Sequence, residues 1–110
     1  MSEALLVLTN LPDAASAQAL ARQLVERKLA ACVNIMPAVQ AVYRWHGAVE
    51  QASEVTVLIK SVNSRYAELE SAIRALHPYE LPEIIALPIV AGLPAYLNWI
   101  TAETQKDVNV

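Results

Sequence analysis

The richest set of chemically active side chains lies in one short segment, residues 77–83. It places an imidazole (His77), a phenol (Tyr79) and two carboxylates (Glu80 and Glu83) around two prolines. Prolines stiffen a turn, so such a segment can hold polar groups ready for a metal ion or a small ligand. The two prolines can equally well fix only the route from a helix to a strand, with both carboxylates solvated. The residues alone favour neither interpretation.

Metal binding also has candidates outside this segment. Cys32, His46, His77 and Met36 are soft or borderline ligands that suit copper or zinc, although no tight ligand spacing links them. A strand cysteine is more often a small buried hydrophobe, and a histidine at a helix end can bond the last carbonyls. Met36 is expected to pack, and His46, beside a turn, is expected to be exposed. His77 and Cys32 are therefore the metal-ligand candidates.

Composition excludes several classes of function. The chain has 110 residues, a formal net charge of −3 and one cysteine. The acidic balance argues against nucleic acid, and a single cysteine excludes an intrachain disulfide framework. No apolar run is long enough for a spanning helix, and no signal-like segment is recognised, so we expect a cytoplasmic protein without a membrane partner. No phosphate loop, Ser–His–Asp signature or metalloprotease histidine pair is present, which predicts a non-enzymatic role.

Hydrophobic periodicity predicts seven elements in one domain spanning residues 1–110. The predicted elements are a strand at 4–8, a helix at 13–29 capped by Asp13, a strand from 31 interrupted at Pro37, its hairpin partner through residue 59, a helix from Asn63 or Ser64 to 76, a strand at 84–90 and a helix at 92–100. The tail from Glu103 onward is expected to fray.

The second and third strands form a hairpin that is too long for a domain of this size. Its far half carries Tyr43, Trp45 and Val49, which would expose an apolar ribbon with open edges. We expect another copy of the chain to cover this ribbon, with Trp45 in the interface.

The order of the elements is that of the split βαβ, or ferredoxin-like, α+β sandwich. This predicts a four-stranded antiparallel sheet with two helices on one face, a short C-terminal helix and a long hairpin between the second and third strands. Partner subunits or the last helix are expected to cover the other face.

Four segments carry a resemblance to a known family. In order along the chain, they are LAACVNI at 29–35, YRWHG at 43–47, HPYELPEI at 77–84 and YLNW at 96–99. Together they resemble the CutA family of divalent-cation tolerance proteins, over nearly the whole chain.

The resemblance implies a ferredoxin-like homotrimer related to PII-type signalling proteins, located in the cytoplasm and linked to copper tolerance. In some members, copper binding is attributed to a cysteine and a His-His pair, whose positions correspond to Thr9, Leu76 and His77 here. The first hypothesis is a trimer that binds copper or another divalent metal through His77, with Cys32 as a further candidate and Glu80 or Glu83 helping. The alternative is a PII-like regulatory trimer that holds a small anion or a partner protein in clefts between subunits. That alternative uses the side chains of Tyr43, Trp45, Tyr79, Glu80 and Glu83.

Overall fold

The computed structural model describes residues 3–106, which form five strands and three α-helices. The elements are β1 Ala4–Leu11, α1 Ala14–Glu26, β2 Cys32–Ile35, β3 Val39–Trp45, β4 Ala48–Val62, α2 Tyr66–Leu76, β5 Ile85–Pro88 and α3 Pro94–Glu103. All strand pairs are antiparallel, in the order β2-β4-β1-β5, and β3 also pairs with β4. The predicted α+β class is confirmed, but the sheet has five strands where four were predicted.

The extra strand arises at Pro37. The β2 strand pairs with the second half of β4, from Val57 to Lys60, and β3 pairs with its first half, from Ala48 to Glu54. Between them, the Met36 N–H still donates to the Thr56 carbonyl at 2.8 Å, but Pro37 has no N–H to continue the ladder. The predicted interruption thus divides one long strand into two.

The main core lies between the sheet and two helices. Alternate residues of β1 and β4 point to one face, where α1 and α2 cover them. The cluster contains Leu5, Val7, Leu11, Val57, Ile59, Leu20, Leu24, Leu69 and Ile73. The prediction that two helices share one face is confirmed. The third helix makes a smaller cluster, in which Ile100 packs with Ala31 and Val62.

The helix boundaries differ from the predicted ones for local reasons. Asp13 caps α1 as predicted, accepting the Ser16 N–H at 2.7 Å. The helix ends at Glu26, three residues earlier than predicted, and Lys28 then adopts a φ of 58°. The predicted cap of α2 is wrong: residues 63–65 form a 3-10 turn, and α2 begins at Tyr66 without a side-chain cap within the described residues.

The C-terminal third of the chain differs from the prediction in which of its residues are buried. The apolar run of β5 predicts a buried strand, whereas Pro88 within it favours an edge or a bulge. The strand lies at the sheet edge, where Pro88 costs no ladder bond, and all four of its residues are exposed, so the expected burial is wrong. The prediction of a frayed tail is wrong for its first part. The α3 helix continues to Glu103, and Thr104 is buried and donates to the Ile100 carbonyl at 2.8 Å. Residues 107–110 lie outside the described part of the chain.

The hairpin extends beyond the rest of the fold. Its turn is made by His46 and Gly47, with φ angles of 48° and 80°, as a two-residue type I′ turn requires. We call residues 39–54, which include β3 and the first half of β4, the ribbon. The Cα radius of gyration is 14.8 Å, compared with about 13 Å for a compact chain of this length. Within residues 3–106, no helix is both long and apolar enough to cross a membrane.

Candidate functional site

A cavity of about 710 Å³ runs along β3 of the ribbon, from Glu54 at the base to Trp45 beside the turn, and we call it the ribbon cleft. Its walls are Asn10, residues 41–45, Glu54, residues 78–81 and Glu83. It therefore brings together five residues that the sequence analysis singled out for binding or interface contacts. These residues are Tyr43, Trp45, Tyr79, Glu80 and Glu83.

His77 lies just outside the cleft and anchors the loop between α2 and β5, which forms one wall of the cleft. It ends α2, and its side chain turns away from the helix and makes a 2.7 Å hydrogen bond from Nε2 to the Asn10 carbonyl. The carbonyl can only accept, so Nε2 carries the proton and donates. Nδ1 then accepts the Tyr79 N–H at 3.2 Å. Both ring nitrogens of this buried histidine are thus engaged in holding the loop between α2 and β5 against β1.

Tyr79 connects the same loop to β4. Its hydroxyl donates to Glu54 Oε2 at 2.8 Å, and its ring lies 4.8 Å from the His77 ring, centroid to centroid. Burial, followed by the hydrogen bond to Glu54 and the charge on that carboxylate, raises the pKa of Tyr79 to about 12. The phenol therefore stays protonated and keeps donating at any physiological pH.

Sequence reasoning missed two residues of the cleft, Glu54 and Asn10. Glu54 is only 9% exposed, and Tyr79 supplies its one hydrogen bond within the described residues. Asn10 accepts the Thr56 hydroxyl at 2.8 Å and donates from Nδ2 to Glu83 Oε1 at 3.4 Å. One feature of the sequence points to Glu54. It is a carboxylate directly before the apolar alternation of β4, on a strand that the hairpin pattern predicts.

Strand register shows how the ribbon presents its side chains. Val39 lies opposite Glu54, and Tyr43 lies opposite Glu50. Opposed residues share a face and successive residues alternate, so Tyr43 and Trp45 lie on the face of Glu54. Arg44, between them, points to the other face. The cleft lining is therefore mainly aromatic and acidic, with the arginine Arg44 also in its wall.

Cys32 lies in a different part of the fold. It is half-buried on β2 opposite Lys60, whose Nζ is 3.8 Å from Sγ and also bonds Asn34 Oδ1. Burial, and then the neighbouring thiol, raises the pKa of Tyr96 on α3 beside it. The His77 imidazole bonds Asn10 of β1, which is paired with Thr56 of β4. Cys32 is paired with Lys60 of the same strand. Thr56 and Lys60 are four residues apart, or about 13 Å at ~3.3 Å per residue. One chain therefore does not bring Cys32 and His77 together.

These positions bear on the fit of a metal ion. Among residues 3–106, no group of three or more His, Cys, Asp and Glu side chains is arranged to hold one. Ligation by His77 would need the bond to Asn10 or to the Tyr79 N–H to break first, because both nitrogens are engaged. The described part of a single chain thus does not fit a preformed metal centre.

The fold and the cleft together define an α+β protein with an exposed two-stranded ribbon and a mainly acidic and aromatic cleft along it. Residues 5–103 match the family described as CutA1 divalent ion tolerance protein. The divalent-cation tolerance protein CutA of Thermus thermophilus is 43% identical over 98 residues, which cover 89% of this chain and 95% of that protein. This chain belongs to the CutA1 divalent ion tolerance family, as its four segments indicated.

Two further relatives show the extent of the similarity. The crystal structure of CutA from Xylella fastidiosa superposes with a TM-score of 0.91 at 40% identity, covering 94% of this chain and all of that one. Protein CutA of the mouse is 42% identical over 98 residues, and the match covers 55% of its length. The chain thus spans about half of the mouse protein and nearly all of the bacterial ones named here.

Proposed function

We propose that this chain is a non-enzymatic divalent-cation tolerance protein that works as a homotrimer and responds to a small ligand in the ribbon cleft. The ribbon carries the proposal. It holds four large apolar side chains that are between 37% and 67% exposed, namely Val42, Tyr43, Trp45 and Val49. Exposed apolar surface of this kind marks an interaction site, and a second copy is the partner implied by the CutA resemblance.

The cleft supports a regulatory role better than His77 supports a resident metal. A cavity of about 710 Å³ falls within the usual range for small-molecule sites, and it lies where a neighbouring subunit would approach the ribbon. The imidazole of His77, in contrast, is committed to holding the loop wall. We further infer that the fold is ferredoxin-like, which the strand order β2-β4-β1-β5 supports, and that the protein works in the reducing cytoplasm.

Direct binding of copper or another divalent ion is the second candidate. The family description speaks of divalent ions, and Cys32 offers a half-buried free thiol, a soft ligand for copper. In this case His77 of another subunit, or another residue of that subunit, completes the site. Binding then depends on assembly.

Native mass spectrometry with and without added copper tests both candidates at once. We expect a trimer that retains no copper, and Trp45→Ala should shift it towards monomers at micromolar chain concentration. Trp99→Ala, which removes a similarly exposed indole outside the ribbon, is the matched control. A wild-type monomer, or a Trp45→Ala variant with unchanged mass and melting temperature, would refute the ribbon interface. One copper per chain that is lost in both His77→Ala and Cys32→Ser would establish the metal role instead.

A further inference from the structure

The ribbon cleft has a chemical character that points to one class of ligand. Its charged side chains are Glu54, Glu80, Glu83 and Arg44. Three carboxylates against one guanidinium leave the lining with a net negative charge, and by strand alternation Glu54, not Arg44, shares the face of the aromatic residues. The resulting field attracts a cation and repels a small anion, which is one of the two occupants that the PII-like alternative places in clefts between subunits.

Glu54 is the most deeply buried carboxylate of the cleft. It is nine-tenths buried, yet only the Tyr79 hydroxyl donates to it within the described residues, and that bond reaches Oε2. An ionised carboxylate has about four acceptor positions, and burying it without partners is costly. Oε1 therefore remains available to a positively charged group in the cleft.

Aromatic rings line the same cavity as this carboxylate, and one of them, Tyr79, is hydrogen-bonded to it. Tyr43, Trp45 and Tyr79 line the same cavity and are each between 36% and 44% exposed. The negative face of an aromatic ring attracts ammonium ions, and several rings around a carboxylate suit a cation that carries carbon substituents. Burial, and then the hydrogen bond and charge of Glu54, raise the pKa of Tyr79.

A bare divalent metal fits this cleft less well. Such an ion needs several oxygen ligands that converge at a short distance. No group of three acidic or other ligating side chains within residues 3–106 does so. The volume of about 710 Å³ also suits a molecule of many atoms better than a single ion.

We propose that the ribbon cleft binds an organic ammonium ion, with the charged nitrogen beside the Glu54 carboxylate and its carbon substituents against the rings of Tyr79 and Tyr43. This inference rests on the proposed function, because it names the ligand of the same cleft. Glu80 and Glu83 at the rim supply attraction at longer range, and Asn10 holds Glu83 in place.

Choline and its uncharged isostere 3,3-dimethylbutan-1-ol test the inference by titration calorimetry on the assembled protein. The two molecules have nearly the same shape, so any difference in affinity reports the charge. We expect choline to bind in the millimolar range or tighter, and the alcohol to bind about tenfold more weakly. Equal affinities would overturn the proposal, as would the absence of choline binding at millimolar concentration.

Two glutamine variants locate the charge. Glu54→Gln should weaken choline binding about tenfold, because the amide keeps the shape and the Tyr79 contact but loses the charge. Glu70→Gln is the matched control, since Glu70 also accepts a tyrosine hydroxyl, from Tyr66 at 2.8 Å, but lies on α2 outside the cleft. Unchanged binding in Glu54→Gln, or equal loss in both variants, would contradict the assignment. If Glu54→Gln does not fold, the comparison of choline with the alcohol on the wild-type protein decides.

The fluorescence of Trp45 separates this inference from the proposed function. In a Trp99→Phe background, Trp45 is the remaining tryptophan, and a ligand in the cleft should change its emission. A change with choline alone supports the ammonium assignment. A change with acetate or the neutral alcohol, and none with choline, would keep the cleft as a ligand site and refute the ammonium assignment. If no probe changes the emission of a trimer, both the inference and the ligand role fail.

Discussion

Replacing Tyr79 by phenylalanine tests the connection between the loop and β4. The change removes one oxygen atom and leaves the ring, and its 4.8 Å centroid distance to His77, in place. It deprives Glu54 of the only hydrogen bond that the described residues donate to it. Because Glu54 is 9% exposed, water replaces that donor incompletely.

Two independent routes give the size of the effect. Hydrogen bonds to charged groups contribute about 1.5–3 kcal/mol. The pKa of Tyr79 rises from 10.0 to about 12, first because of burial and then because of Glu54, so at about 1.4 kcal/mol per unit the shift sets an upper limit of about 2.7 kcal/mol on the bond. Tyr79 is 36% exposed, so solvent screening reduces this by about half. We expect Tyr79→Phe to lose about 1.5 kcal/mol of unfolding free energy at pH 8.

The pH dependence gives the prediction a second signature. A tyrosine with a raised pKa in the folded state binds its proton longer there than in the unfolded chain, so its contribution is complete below pH 10.0 and falls between 10.0 and about 12. The stability difference between wild type and Tyr79→Phe should therefore shrink across this range and vanish above it.

Chemical denaturation at one fixed chain concentration, repeated from pH 8 to 12, measures the difference directly. Tyr43→Phe is the control, since Tyr43 lines the same cleft and its hydroxyl makes no hydrogen bond within the described residues. If Tyr79→Phe matched wild type within about 0.3 kcal/mol at pH 8, the Glu54 carboxylate would be solvated, and the reasoning from its burial would be refuted.

Two stability predictions concern buried polar groups away from the cleft. The Thr9 hydroxyl is fully buried and has no hydrogen-bond partner within the described residues, so Thr9→Val should stabilise the protein by about 1 kcal/mol in urea denaturation. Thr104→Val, which loses a 2.8 Å bond to the Ile100 carbonyl, should not stabilise it, and equal effects would contradict this reasoning. The Arg65 guanidinium is 7% exposed and donates to the carbonyls after α1 and, at 3.0 Å, to Glu68. Arg65→Met should therefore lower the free energy of unfolding by about 2 kcal/mol, whereas Glu68→Gln should lower it by less than about 0.5 kcal/mol. Similar losses in the two variants would show that the bonds to the carbonyls contribute little.

Local patterns predicted most of the fold because each needs only neighbouring residues. The cap at Asp13, the interruption at Pro37 and the turn at His46 depend on side-chain and backbone chemistry within a few positions. Predictions that needed the surroundings were less accurate. The apolar run around Ile85 indicates a strand, and Pro88 favours an edge or a bulge, but neither predicts that all four strand residues are exposed.

The cleft was only partly predictable for the same reason. The segment from His77 to Glu83 and the aromatic residues of the ribbon stood out by composition, but no spacing along the chain connects them. Glu54 and Asn10 had no distinguishing pattern, because their roles come from partners 25 and 73 positions away.

The sequence by itself determined the family, the order of the elements and the exposed apolar ribbon, since these depend on local segments and on periodicity. The tertiary structure alone decided that His77 anchors a loop through hydrogen bonds of both ring nitrogens. It alone also decided that Cys32 lies about 13 Å along the sheet from His77. It also decided that one cleft unites three carboxylates with three aromatic rings. Hydrogen-bond partners and electrostatic fields depend on distances in space, and folding sets these distances by strand register, not by separation along the chain.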